Sequence, residues 1–189
     1  MKGIVKVVGF TIILFCLGCA KDTSLFIPPI PNGDFELWST ANLPENWQTN
    51  SCPLCTSQIQ TYIVQKDSGA YNGIYAAKFI DNHIYAATAS NKFNLSVHPT
   101  NLIAHVRCQL YGKDTVSIKI KLFNKTLAVD SGQWYNTSTI SNYIKLVIPI
   151  SQHSSSVDAA LISIKGGHQP GLPVNTTVFW VDDLALSNY

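Results

Sequence analysis

Val116-Ser117-Ile118-Lys119-Ile120-Lys121-Leu122 alternates apolar with polar residues along its whole length. Just before it, Leu102, Ala104, Val106, Cys108 and Leu110 alternate with Ile103, His105, Arg107, Gln109 and Tyr111. A period of two belongs to a β-strand with one dry and one wet face. The same period recurs over 144–150 and in Leu161-Ile162-Ser163-Ile164, and further strands are expected at 35–39, 59–65, 74–80, 93–97 and 178–186. Turn signals separate them: Asn32-Gly33, Asp67-Ser68-Gly69, Asn72-Gly73, Gly112-Lys113-Asp114 and Asp130-Ser131-Gly132. After residue 31 no window holds a helical apolar period over three turns, so the pattern predicts an all-β chain, an antiparallel β-sandwich formed as a single domain over 31–189.

The 189 residues are 46% hydrophobic and only 13% charged, which excludes intrinsic disorder for the body of the chain. Lys plus Arg number 13 and Asp plus Glu 11, and Lys2 and Lys6 lie in the N-terminal segment, so the rest is balanced at 13 − 2 = 11 against 11. That balance is not the footprint of a nucleic-acid binder.

Residues 1–19 join a basic start (Lys2, Lys6) to an apolar run from Val7 to Leu17 and then Gly18-Cys19. The run is too short for a membrane span and reads as a secretory signal. Its Leu17-Gly18-Cys19 ending resembles a bacterial lipoprotein signal, which implies acylation of Cys19. Residues 20–30, with Pro28 and Pro29, suit an extended tether. The expected address is the cell envelope, at the outer membrane, held by the lipid anchor alone. Export favours a disulfide between Cys52 and Cys55, or between one of them and Cys108, over a zinc or redox site.

Pairing the 102–110 strand with the 116–122 strand as a hairpin, wet against wet, sets Gln109 opposite Lys119 and Arg107 opposite Lys121. The hairpin would gather His105, Arg107, Gln109, Lys119 and Lys121 on one face, joined by Tyr143 and Lys145 from the next strand. Arg and Gln make paired hydrogen bonds to sugar hydroxyls, an aromatic ring stacks on a pyranose, and four cations suit an acidic glycan. An ordinary solvated sheet face has the same pattern. Trp134 and Tyr135, expected in a loop after Gly132, would form a stacking platform at the rim. Trp38, Trp47 and Trp180 are expected to pack in the core or at an edge.

Pro31-Asn32-Gly33-Asp34-Phe35-Glu36-Leu37-Trp38 with Pro44-Glu45-Asn46-Trp47, Asn72-Gly73-Ile74-Tyr75-Ala76, and Phe179-Trp180-Val181-Asp182-Asp183-Leu184 together resemble the opening, an inner strand and the closing strand of galactose-binding-like jelly-roll carbohydrate-binding modules. The middle of the chain is similar to the so-called "putative carbohydrate metabolism domain" of lipoproteins from Bacteroidetes-type bacteria. The resemblance implies a sugar-binding sandwich whose two chain ends meet around a structural calcium, for which Asp34, Glu36 and Asp183 are the candidate ligands. Those carboxylates could instead cap turns or accept backbone hydrogen bonds.

Catalysis is poorly supplied. Glycoside hydrolysis needs two carboxyls flanking the scissile bond, and no strand's wet face offers them. A lyase would need a second basic-aromatic strand beside His105, Arg107 and Tyr111, and there is no Gly-x-Ser-x-Gly elbow. The expectation is a carbohydrate-binding envelope lipoprotein, then a structural or adhesive module that contacts an envelope protein, and last a polysaccharide-active enzyme.

Overall fold

The computed structural model describes residues 27–51, 63–81, 86–153, 156–167 and 176–188. Its strands are β1 Trp38–Thr40, β2 Leu43–Pro44, β3 Gln48–Thr49, β4 Val64–Asp67, β5 Ala76–Ile80, β6 Ala87–Asn94, β7 Asn101–Gln109, β8 Val116–Asn124, β9 Leu127–Asn136, β10 Ile140–Pro149, β11 Ala159–Gly166 and β12 Val178–Ser187. The described residues contain no helix. Beside the short β1–β2 ribbon, two five-stranded antiparallel sheets form, in the orders β10-β7-β12-β5-β4 (the first sheet) and β3-β6-β11-β8-β9 (the second).

The alternation read in β7 and β8 sets the core. Leu102, Ala104 and Val106 of the first sheet and Val116, Ile118, Ile120 and Leu122 of the second are all fully buried, with Phe79, Ile162 and Phe179 between the sheets. Burying a side chain of this size stabilises by about 1.5–3 kcal/mol, so this face holds the sandwich together.

The expected hairpin does not form. β7 pairs with β10 and β12, and β8 with β9 and β11, so the two strands lie in opposite sheets. Alternation says which face of a strand is dry but not which strand lies beside it. The intervening turn is a crossover: Asp114 N–H bonds Tyr111 O, Tyr111 N–H bonds Thr177 Oγ1, and Thr177 donates its hydroxyl to the buried Asp114 carboxylate. Gly112 supplies the positive φ (62°) that this turn needs.

Residues 130–136 also differ from expectation, being the body of β9 rather than a turn and a loop. Asp130 points inward, and its carboxylate meets His98 Nε2 and His153 Nδ1, each at 3.0 Å, and the Ser151 hydroxyl. Gly132 is there for space: a Cβ would come within 2.5 Å of Pro149 O.

The motif at the chain's start is a structural knot. Asn32, at φ 48°, donates its amide to Leu37 O and Glu45 O, accepts from Leu37 N–H, and offers its own carbonyl to Trp47 Nε1. Phe35 is fully buried, with its ring centroid 4.9 Å from that of Trp47. Trp38 Nε1 donates to Phe35 O. The expected packing roles of Trp38 and Trp47 are met.

Candidate functional site

In β12, Phe179 and Val181 point into the core, which turns Trp180 and Asp182 outward. The register sets Trp180 beside Arg107 of β7 and Lys78 of β5. Side chains from three neighbouring strands thus meet on the outer face of the first sheet. Lys78 Nζ lies 5.5 Å from the Trp180 ring centroid and Arg107 Cζ 4.2 Å from it, while Arg107 also lies 5.1 Å from the centroid of Tyr143 on β10. Each contact is a cation held on a ring face.

Segment 68–75 lies over half of this face. Gly69 O accepts from the Tyr143 hydroxyl at 2.9 Å and from an Arg107 amino group at 3.4 Å. Asp182 Oδ2 accepts the N–H groups of Tyr71 and Asn72, and Glu36 Oε1 those of Ile74 and Tyr75. The Tyr71 ring stacks on His105 at 3.7 Å and 7°. His105 is consequently buried, with Nδ1 3.3 Å from Asp183 Oδ2.

The uncovered half holds a cleft of about 430 Å³, lined by Arg107, Gln109, Thr139, Ser141 and Trp180 with Cys108, Leu110 and Ile140. The β7–β10 register slips between Ile140 and Ile144, beside this cleft. No residue of the lining is a carboxylate or a histidine. The cleft therefore offers a guanidinium, an amide, two hydroxyls and an indole, a set suited to hydrogen-bonding and apolar contact rather than to proton transfer.

Electrostatics around the cleft point the same way. Burial pushes the Tyr143 phenol up to about 12 against the pull of Arg107, so it is neutral at ordinary pH. Burial also raises Asp182, against the three backbone N–H groups on its carboxylate. For Asp67 burial works upward, but the Gly69 amide and Lys78, whose ammonium is 3.5 Å away, hold the carboxyl below its usual value.

The residues expected to share one stripe are divided. Arg107, Gln109 and Tyr143 stay together on the first sheet, with His105 under Tyr71, whereas Lys119, Lys121 and Tyr135 lie on the outer face of the second sheet. Trp134 is not a rim platform but packs inward opposite Ile118, 6.1 Å from the Phe179 ring. Trp180, expected to be packing, is instead the aromatic wall of the cleft. The Phe179-x-Val181 alternation was the signal for it.

Asp34, Glu36 and Asp183 border one apolar cleft together with Leu37 and Leu184. Glu36 Oε1 holds two amides, and Asp183 Oδ2 lies 3.3 Å from His105 Nδ1. Among the described residues no three His, Cys, Asp or Glu side chains gather in a metal-binding group. Cys108 is a free, buried thiol that burial pushes up, so the pairings that would use it are not formed. Cys19, Cys52 and Cys55 lie outside the described residues.

No protein-family model matches the chain, and no curated protein matches it. Solved structures do. A "putative sugar binding protein" from Bacteroides thetaiotaomicron superposes with a TM-score of 0.51 at 13% identity, covering 84% of this chain and 98% of that one. The fold the two share is an antiparallel β-sandwich. TmCBM61, solved in complex with β-1,4-galactotriose, matches with a TM-score of 0.41 at 13% identity over 82% of this chain and 94% of its own. The enzymatically active domain of bacteriophage CBA120 tailspike protein 4 matches with a TM-score of 0.51 at 13% identity, over 84% of this chain and 21% of the tailspike. A fold shared with a protein named as sugar-binding and with an enzymatically active domain leaves function to be argued from the site.

Proposed function

We propose that this domain binds an oligosaccharide, without cleaving it, in the cleft on the outer face of the first sheet. The observation that carries the reading is the cleft wall: Trp180 with Arg107 Cζ 4.2 Å from its ring centroid, Gln109, Thr139 and Ser141 in the same lining, and no acid among them. A sugar ring packs against the Trp180–Arg107 pair while its hydroxyls exchange hydrogen bonds with Arg107, Gln109 and the two hydroxyl side chains. The likeness in fold to sugar-binding proteins supports this reading. A glycan-array screen of the protein beside its Trp180→Ala variant tests it. A specific hit abolished in the variant supports the proposal, and no hit with a folded protein contradicts it.

The N-terminal signal and its Cys19 support an exported, lipid-anchored protein that works at the outer membrane, facing water. A second reading, contact with an envelope protein, draws on Leu37 (54% exposed) and Ile74 (64%), which Glu36 brings to one end of the sandwich. A co-purification partner lost in a Leu37→Ser/Ile74→Ser variant, with glycan binding absent, would favour it.

A further inference from the structure

The outer face of the second sheet carries a separate pattern that the cleft does not use. Register sets Lys121 of β8 beside Leu161 of β11, which sits beside Lys92 of β6; one row along, Lys119 lies beside Ser163 and Ser90; in the next, Lys165 lies between Ser117 and Thr88. Lys119 and Lys121 are therefore about 7 Å apart along their strand, and Lys121 and Lys92 about 10 Å apart across two strand spacings. Lys92 and Lys165 are exposed, and Lys119 and Lys121 half-buried. Among the described residues none of the four makes an ion pair, and Lys92 rests on the Phe123 ring instead.

Among the described residues no strand of this sheet turns an acid outward to offset the charge. The five strands of the sheet contain one carboxylate, Asp130, which points inward and is bound by His98, His153 and Ser151. A recess of about 260 Å³ opens beside Lys119, Lys121 and Ser131, with Asp130 in its lining. Between and beside the lysines stand hydroxyl and amide side chains, and Tyr135, 57% exposed, follows on β9.

We propose that this face is a second binding surface, for an anionic polysaccharide whose carboxylate or sulfate groups meet Lys92, Lys119, Lys121 and Lys165. Charge complementarity sets the sign of the partner. The interleaved Ser, Thr and Gln side chains, with Tyr135 beside them, favour a sugar chain over a lipid surface, which would call for an apolar wedge.

Binding of the purified protein to polygalacturonate, to neutral dextran and to vesicles of phosphatidylglycerol in phosphatidylcholine tests this. The expected result is salt-sensitive binding to polygalacturonate alone. It should be about tenfold weaker when all four lysines become Gln, and unchanged in Lys113→Gln, which removes an exposed cation in the 111–114 turn, outside both surfaces. Should the fourfold variant misfold by circular dichroism, Lys92→Gln/Lys165→Gln, at the two exposed positions, gives the same direction with a smaller loss. Absence of binding, equal binding by the fourfold Gln variant and the unaltered protein, an equal loss in Lys113→Gln, or preference for the vesicles would each overturn the proposal.

Discussion

Arg107 and Trp180, paired across neighbouring strands, hold guanidinium over indole with Cζ 4.2 Å from the ring centroid. The contact orients both side chains at the cleft, and Arg is suited to it because its planar group lies flat on a ring where an ammonium does not. Arg107→Lys should therefore weaken glycan binding by about tenfold, near the upper range of a desolvated cation–π contact, with little change in thermal stability. Calorimetric titration beside a melting curve checks this; unchanged affinity would show that the pairing is only structural.

Trp134 and Tyr135 adjoin in sequence but point to opposite sides of β9. Trp134→Ala should destabilise by about 3 kcal/mol through the cavity it opens against Phe179, whereas Trp134→Phe should keep both fold and cleft binding. Tyr135→Ala should leave stability within about 0.5 kcal/mol. Urea denaturation of the three variants measures the difference.

These two tryptophans also mark how far the sequence is legible. Alternation in β7, β8, β11 and β12 identified the sandwich and most of its core, because burial on one face leaves a direct trace in residue order. Neighbour relations leave none, so Lys119 and Lys121 were grouped with Arg107 although a crossover turn separates their sheets. Asp130-Ser131-Gly132 imitates a turn because its buried Asp is bound by His98, His153 and Ser151, and its Gly fits under Pro149. Both reasons are tertiary. Of the site, Arg107, Gln109 and Tyr143 were recognisable as outward-facing residues, while Trp180 was hidden by the habit of assigning a Trp to the core.

Asp182 fastens segment 68–75 to the sheet through the N–H groups of Tyr71 and Asn72. Asp182→Ala leaves those amides without their acceptor and should cost about 1–3 kcal/mol. Hydrogen exchange should then rise at Tyr71 and Asn72 ahead of β7. Uniform protection loss across both sheets would show instead that the segment is not a separate unit.

Tyr143 gives stability a dependence on alkaline pH. Its folded pKa is raised from 10.0 to about 12, so the folded state holds the proton more tightly than the unfolded chain does. The associated stability is complete below pH 10.0 and is lost as pH rises toward about 12. Tyr143→Phe, which also removes the hydrogen bond to Gly69 O, should flatten that part of the profile while lowering stability at neutral pH. Chemical denaturation at a series of alkaline pH values checks the slope.

Glu36 spends Oε1 on Ile74 and Tyr75 N–H, so calcium should be dispensable for the fold. Melting with excess calcium and with chelator should agree within about 2 °C, less than 1 kcal/mol would cause in a domain of this size. A large stabilisation by calcium would require the carboxylates at the chain ends to rearrange around it.

The most direct test is titration of the protein and of Trp180→Ala with the best glycan from an array. The expected result is saturable binding by the protein, no measurable binding by the variant, matching circular dichroism spectra, and no release of shortened sugar on prolonged incubation. Equal binding by the two proteins would contradict the cleft as the site, and shortened products would contradict a domain that binds without cleaving.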